Sequence, residues 1–282
     1  MSVLRHYWGT AGGAGRLAGV TLLCCPHAGG AASFFGTWRT SLHPSCRILA
    51  AQYPGREDRI GQRPAATLLE LAREISAAAL ETVRAGSLVV LGHSMGALVA
   101  FETALQLADR GVQPELLVVS ALAPQVEPRL LTARSGDPAG SGQLLTQLLQ
   151  LDPEFEKVAA YPELADFAVR IVSADLDMMS GHRLSQRPLG ATPILTLAGT
   201  DDPAVNPAEL RAWRSRTTGA FSQSEFPGRH FYLRGDGAGP LAAVERALEA
   251  ARRNAEGISK TDKAQHLIRY RTTSRHHVPF PR

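Results

Sequence analysis

The feature that most constrains this chain is a junction. The run Ser87-Leu88-Val89-Val90-Leu91 ends in Gly92-His93-Ser94-Met95-Gly96, and a helical stretch follows at once from about Ser94 to Arg110. It stops at Gly111, a residue suited to the left-handed position just past a helix. A G-x-S-x-G motif by itself occurs by chance, but one placed between a buried strand and a helix has a physical purpose. The turn must be sharp enough to strain the serine backbone, and the two glycines let strand and helix approach closely. The serine hydroxyl is then presented at the end of a sheet, above a helix N-terminus that favours negative charge. Ser94 is the candidate nucleophile.

The rest of the chain fits around that junction. Apolar runs at Val20–Cys25, Cys46–Gln52, Ser87–Gly92, Glu115–Ala121, Pro193–Ala198 and Phe221–Phe226 alternate with helical patterns. Leu68, Leu71, Ala72, Ile75 and Ala79 mark one helix and Leu241–Arg253 another. Most strand runs are continuously apolar, as strands covered on both faces are, so an α/β fold with a mainly parallel sheet flanked by helices is expected. The rhythm breaks after Ala121, where about seventy residues precede the next strand, too many for an ordinary connection. A Pro- and Gly-rich opening, Pro124 to Gly142, leads into two apolar stripes. One is Leu144, Leu145, Leu148 and Leu149; the other is Leu164, Phe167, Ala168, Ile171, Val172, Met178 and Met179. Such stripes serve as packing faces, as a helical lid over an active site, or as both.

A serine hydroxyl needs a base, and the base needs an acid to orient it. Chain order in this architecture is serine, then acid, then histidine. His182 lies in the insertion, and His266, His276 and His277 lie in a polar tail. His230 alone follows a strand, in Phe226-Pro227-Gly228-Arg229-His230-Phe231, and is the candidate base. The strand Pro193–Ala198 leads into Gly199-Thr200-Asp201-Asp202-Pro203, where a G-x-x-D pattern selects Asp202 as the acid with Asp201 as runner-up. The unchosen aspartate is expected to bond local turn backbone. An acyl oxyanion needs two preorganised N–H donors. The backbone amides of Met95, after the nucleophile, and Ala28, in the loop Pro26-His27-Ala28-Gly29-Gly30, are the candidates. His27 is read as shaping that loop. No metal-ligand spacing, P-loop or dinucleotide fingerprint is present in the sequence, and no metal or cofactor is expected.

Charge looks basic only in total. The formal net charge is +4, but residues 254–282 hold six Lys/Arg against two acids, leaving 24 of each sign in the body. Nucleic acid is therefore not an expected partner, and the tail 254–282, polar and without apolar periodicity, is expected to be disordered. Cys24, Cys25 and Cys46 form no disulfide framework, which suits a reducing compartment. No stretch suggests a signal peptide or a membrane span. A cytoplasmic monomer of one domain, 1–253, with a lid insertion at about 124–188, is the expectation.

Together the motifs resemble one family. Pro26-His27-Ala28-Gly29-Gly30, Tyr53-Pro54-Gly55-Arg56-Glu57-Asp58-Arg59, Gly92-His93-Ser94-Met95-Gly96-Ala97, Gly199–Pro203 and Pro227-Gly228-Arg229-His230-Phe231-Tyr232 are similar to motifs of the type II thioesterases that accompany polyketide synthases and nonribosomal peptide synthetases. The resemblance runs from about Leu22 to Ala250, and Y-P-G-R-x-x-R is its most discriminating part, because generic esterases lack it. It implies the α/β-hydrolase fold with a mobile helical lid. It also implies Ser94, Asp202 and His230 as triad and Ala28 and Met95 as oxyanion donors. The implied activity is hydrolysis of acyl thioesters from the phosphopantetheine arm of acyl or peptidyl carrier proteins, clearing stalled or aberrant acyl groups. Two features depart from the pattern: the tail, and Leu122 where the family often has an arginine, which would alter a salt bridge at the lid's entrance. The rival readings are a carboxylesterase or lipase on small oxygen esters, since a triad does not discriminate sulfur from oxygen leaving groups, and a non-catalytic carrier-binding module.

Overall fold

The computed structural model describes residues 2–11, 16–83, 86–125 and 138–273. Seven strands form one sheet in the order β1-β3-β2-β4-β5-β6-β7. They are β1 (Leu4–Trp8), β2 (Val20–Cys25), β3 (Arg47–Ala51), β4 (Ser87–His93), β5 (Leu116–Ser120), β6 (Ile194–Gly199) and β7 (Phe221–Phe226). All neighbours pair in parallel except β1, which runs antiparallel to β3. The central strands are buried along almost their whole length, which is why their sequences are continuously apolar. β7, at the far edge, is Phe-Ser-Gln-Ser-Glu-Phe and partly exposed throughout.

Helices cover both faces. Thr67 caps α1 (Leu68–Thr82) by accepting the Glu70 amide, and the Glu70 carboxylate reaches back to the Ala66 amide. α2 (Met95–Ala108) is nearly all buried, and the turn that follows it passes through Gly111, whose φ is +80°. Cys24 and Cys25 point to opposite faces, Cys24 into the core that holds Trp38 and Leu241, Cys25 into the core that holds Leu71 and Phe101. All three cysteines are buried free thiols, and burial pushes Cys25 and Cys46 up to about 12.

The insertion between β5 and β6 is helical: α3 (Pro138–Leu151), the single turn α4 (Glu156–Ala159) and α5 (Pro162–Ser180). Its first part, 126–137, lies outside the described residues. Val169, Val172, Leu176, Met178 and Met179 of α5 join the main core, whereas Leu164 from the expected stripe is 53% exposed. The last helix, α6 (Ala238–Thr273), runs past the expected end at Arg253. The segment 254–273 is thus helical backbone where disorder was expected. Ala, Glu, Lys and Gln are good helix formers, and they extend a helix already nucleated on the body. Residues 274–282 lie outside the described residues. Among the described residues no helix is long and apolar enough to cross a membrane.

The parallel arrangement is what positions the site. β2, β4 and β6 end at the same edge of the sheet, and the loop after β7 reaches the same place, so four sequence-distant loops converge there. Topology, helical cover and insertion are those of the expected α/β-hydrolase fold.

Candidate active site

Ser94 sits at the tip of the junction between β4 and α2 with φ +54° and ψ −125°. This backbone conformation costs of order 1–3 kcal/mol and must be held by its surroundings. The Ser94 amide donates to Ser120 O at 2.7 Å, and Ser94 O accepts the Ala97 amide at 2.8 Å. The glycines have steric reasons. A Cβ on Gly92 would stand 1.9 Å from Gly96 O, and one on Gly96 would stand 2.1 Å from Cys25 O.

The structure brings the expected side chains together. His230 Nε2 is 3.0 Å from Ser94 Oγ, and His230 Nδ1 is 2.8 Å from Asp202 Oδ2. A carboxylate only accepts, so Nδ1 carries the imidazole proton and Nε2 presents its lone pair to the serine. The Asp202 side chain is fully buried, and its second oxygen accepts the Ala204 amide at 2.9 Å. Asp201 does something else: its carboxylate accepts from Thr200 Oγ1 at 2.9 Å and from the Gly228 amide at 3.4 Å. That is the local turn bonding expected of the aspartate not in the relay.

Ala28 and Ser94 line one cavity, and among the described residues neither the Ala28 nor the Met95 amide donates to a protein acceptor. His27 shapes this loop, with Nδ1 2.9 Å from Ala28 O. The acceptor is a carbonyl, so Nδ1 carries a proton. Burial is the main cause that pushes His27 down to about 4.

Sequence reading missed a bracing chain below the turn. His93 Nδ1 lies 2.9 Å from Ser120 Oγ, which lies 2.5 Å from the Tyr232 hydroxyl. Ser120 therefore holds Ser94 through its carbonyl and links His93 to Tyr232 through its side chain. Burial and the nearby His230 push His93 well below the usual imidazole range.

The cavity in front of Ser94 measures about 530 Å³. Leu98, Leu122, Leu151, Leu176, Met179 and Val205 form its apolar walls. The insertion thus contributes Leu151, Leu176 and Met179, and the Leu144–Leu149 stripe packs elsewhere, with Leu144 and Leu148 in the core. Leu122, the departure noted in the sequence, adds apolar surface to the cavity and hands its carbonyl to Trp213 Nε1 at 2.7 Å. Part of the lining is polar: His182, Gln186 and Arg216. Arg216 is bound by Gln186 Oε1 at 2.7 Å, and Glu102 accepts from the Ser185 amide and faces His182 Nε2 at 3.2 Å. Among the described residues no cluster of His, Cys, Asp or Glu could hold a metal ion.

A model of the thioesterase domain family matches residues 20–251. Thioesterase PikA5 of Streptomyces venezuelae is 37% identical over 216 residues, 76% of this chain and 75% of that protein. The solved type II thioesterase BorB from the borrelidin biosynthetic cluster aligns with a TM-score of 0.69 at 34% identity, over 86% of this chain and 97% of that one. The RedJ thioesterase of the prodiginine pathway in Streptomyces coelicolor aligns with a TM-score of 0.71 at 30% identity, over 82% and 91%. With these relatives, and with the site its motifs assemble, the chain belongs to the thioesterase family, among the type II thioesterases.

Proposed function

We propose that this protein hydrolyses acyl thioesters held on the phosphopantetheine arm of acyl or peptidyl carrier proteins, removing stalled or aberrant acyl groups during polyketide or nonribosomal peptide assembly. The observation that carries the proposal is the Ser94–His230–Asp202 relay opening on a largely apolar cavity under a helical insertion. The relatives from the borrelidin cluster and the prodiginine pathway support the biosynthetic setting.

In this mechanism His230 Nε2 takes the Ser94 proton as Oγ attacks the thioester carbonyl. The developing oxyanion is received by the amides of Ala28 and Met95, the latter at the N-terminus of α2. Asp202 stabilises the imidazolium and keeps the ring in its tautomer. Collapse expels the pantetheine thiolate, which takes a proton from His230 to leave as the thiol. Water activated by His230 then attacks the acyl-Ser94 ester and releases the acid. A thioester suits this site because sulfur donates weakly into the carbonyl and thiolate leaves without strong acid assistance. The carrier stays outside, and contacts remote from the reacting carbon position it.

The test is kcat/KM for one acyl group on a carrier protein, on free pantetheine and on a simple alcohol. The carrier-bound thioester is expected to be the best substrate. Equal values on all three would reject the carrier-directed reading and leave a generic esterase.

A further inference from the structure

The loop that holds Ala28 is set from outside the triad. His27 O accepts the Gly30 amide at 2.9 Å, which orients the peptide plane that carries the Ala28 N–H. The next plane is pinned on both sides. Its carbonyl, Ala28 O, faces His27 Nδ1 at 2.9 Å, and its amide, Gly29 N–H, donates to Asp175 Oδ2 at 2.7 Å. Asp175 belongs to α5, the long helix of the insertion, and is 1% exposed. The same carboxylate is gripped in bidentate fashion by Arg56, Nη1 to Oδ2 and Nη2 to Oδ1, both at 2.8 Å. Arg56 Nη1 also donates to Gly30 O at 3.0 Å. Arg56 is the arginine of Tyr53-Pro54-Gly55-Arg56, and the tyrosine of that motif donates its hydroxyl to Pro26 O at 3.0 Å. Both ends of the Pro26–Gly30 loop are therefore held by this motif, and its middle is held by the insertion. Contact is direct as well. Gly29 has φ +76°, and a Cβ there would stand 2.5 Å from Val172 Cγ2 of α5.

We infer that Asp175 is a positioning residue for the oxyanion hole: from α5 it fixes the Gly29 amide and the Arg56 guanidinium, so that the Ala28 N–H is correctly aimed only while the insertion is docked. The inference rests on the function proposed above and adds to it a coupling between lid and chemistry. A substrate that lets α5 settle completes the site, and a lid held away leaves the triad intact but the hole half built.

Removing one carboxylate would strand a buried guanidinium, which is strongly destabilising in itself. The informative variant therefore replaces the pair by apolar side chains of similar size, Arg56→Met with Asp175→Leu, an exchange that leaves no buried charge unpaired. Asp175→Asn serves as the single-site companion. Loss of one oxyanion donor lowers kcat by about 10²–10³. The double variant is expected to remain folded, with a melting temperature lowered by the loss of partners for the Gly29 N–H and Gly30 O, to lose about 10²-fold in kcat per titrated active site, and to change KM by less than about threefold. Its pH–rate profile should stay in place, since His230 and Asp202 are untouched. Inhibition by an acyl trifluoromethyl ketone, whose adduct with Ser94 puts an oxyanion in the hole, should weaken by the same factor, while binding of the free acid should not. Exchange of the Gly29 amide should accelerate. A folded double variant with wild-type kcat per active site, or equal weakening of ketone and acid, would overturn the inference. If the wild-type enzyme prefers an oxygen ester, the carrier-directed reading fails, and the same comparison made on that ester still decides the role of Asp175.

Discussion

Asp202 Oδ2 lies 2.8 Å from His230 Nδ1, while Asp201, one residue earlier, spends its carboxylate on Thr200 and on the Gly228 amide. Two adjacent aspartates thus have separate tasks, and the difference is measurable. Asp202→Asn removes the acceptor that holds the imidazole tautomer and is expected to lower kcat by roughly 10⁴-fold. Asp201→Asn keeps a side-chain oxygen for the turn and should cost less than about tenfold in kcat. Steady-state kinetics on one acyl thioester, with folding checked by circular dichroism, compares the two. The reverse ranking would move the acid to Asp201.

The elbow makes a stability prediction independent of catalysis. A Cβ on Gly96 would meet Cys25 O at 2.1 Å and Pro26 O at 2.6 Å, both backbone atoms that cannot rotate away. Gly96→Ala must push α2 off the end of β2, at a cost of about 1–3 kcal/mol or more for overpacking a rigid site. Its urea midpoint should drop accordingly. Gly142→Ala, where a Cβ would meet nothing within 4 Å, is the control and should leave the midpoint unchanged or slightly raised.

What the sequence made legible was local. Gly92-x-Ser94-x-Gly96, the aspartates after β6 and His230 after β7 each sit in a short motif whose spacing to a strand end is fixed by the chemistry they serve. Parallel strands did the rest, because their ends converge wherever the sheet places them. Other features depend on partners far apart in the chain. Arg56 and Asp175 are 119 positions apart and Glu102 and His182 are 80 apart, with no local pattern that pairs them. β1 was missed because Leu4-Arg5-His6-Tyr7-Trp8 is short and shows weak alternation, with Trp8 54% exposed. The insertion's stripes signalled burial for Leu144, Leu148, Val172, Met178 and Met179 but not for Leu164, and a stripe does not say which of its side chains face the core and which face a cavity.

Two imidazoles, His93 buried and His27 half-buried, give the protein a pH-dependent stability. His27 is pushed down to about 4 and His93 well below the usual range, in both cases chiefly by burial. In the unfolded chain both protonate near 6.5. Between that value and about 4 the unfolded state therefore binds more protons than the folded state, so stability rises with pH there. The stabilisation is complete above 6.5 and is lost as pH falls towards 4. His27→Asn keeps a donor for Ala28 O but cannot titrate, so the slope of unfolding free energy against pH over this window should fall by about one proton's worth. Urea titrations at several pH values measure it. A slope equal to that of the wild type would show that His27 is protonated in the folded state.

The cavity walls predict acyl-chain selectivity. From the insertion, Leu151, Leu176 and Met179 line the space in front of Ser94, opposite Leu98, Leu122 and Val205. An acyl chain entering this space transfers its methylenes out of water, each contributing about 0.8 kcal/mol, or roughly fourfold in affinity. Met179→Trp fills part of the cavity and removes room from the far end of a long chain first. The expected result is a loss of kcat/KM that grows with acyl length, with acetyl and propionyl thioesters within about threefold of wild type and octanoyl down by at least tenfold. Leu164→Trp is the internal control: it lies on the same helix and in the same sequence stripe, but its side chain is exposed, so its chain-length profile should match the wild type. A uniform loss in Met179→Trp across all lengths would mean that the tryptophan distorts the catalytic groups rather than occupying the acyl space. No loss at any length would mean that the chain leaves Ser94 by another route, past His182 and Arg216 on the polar side of the same cavity.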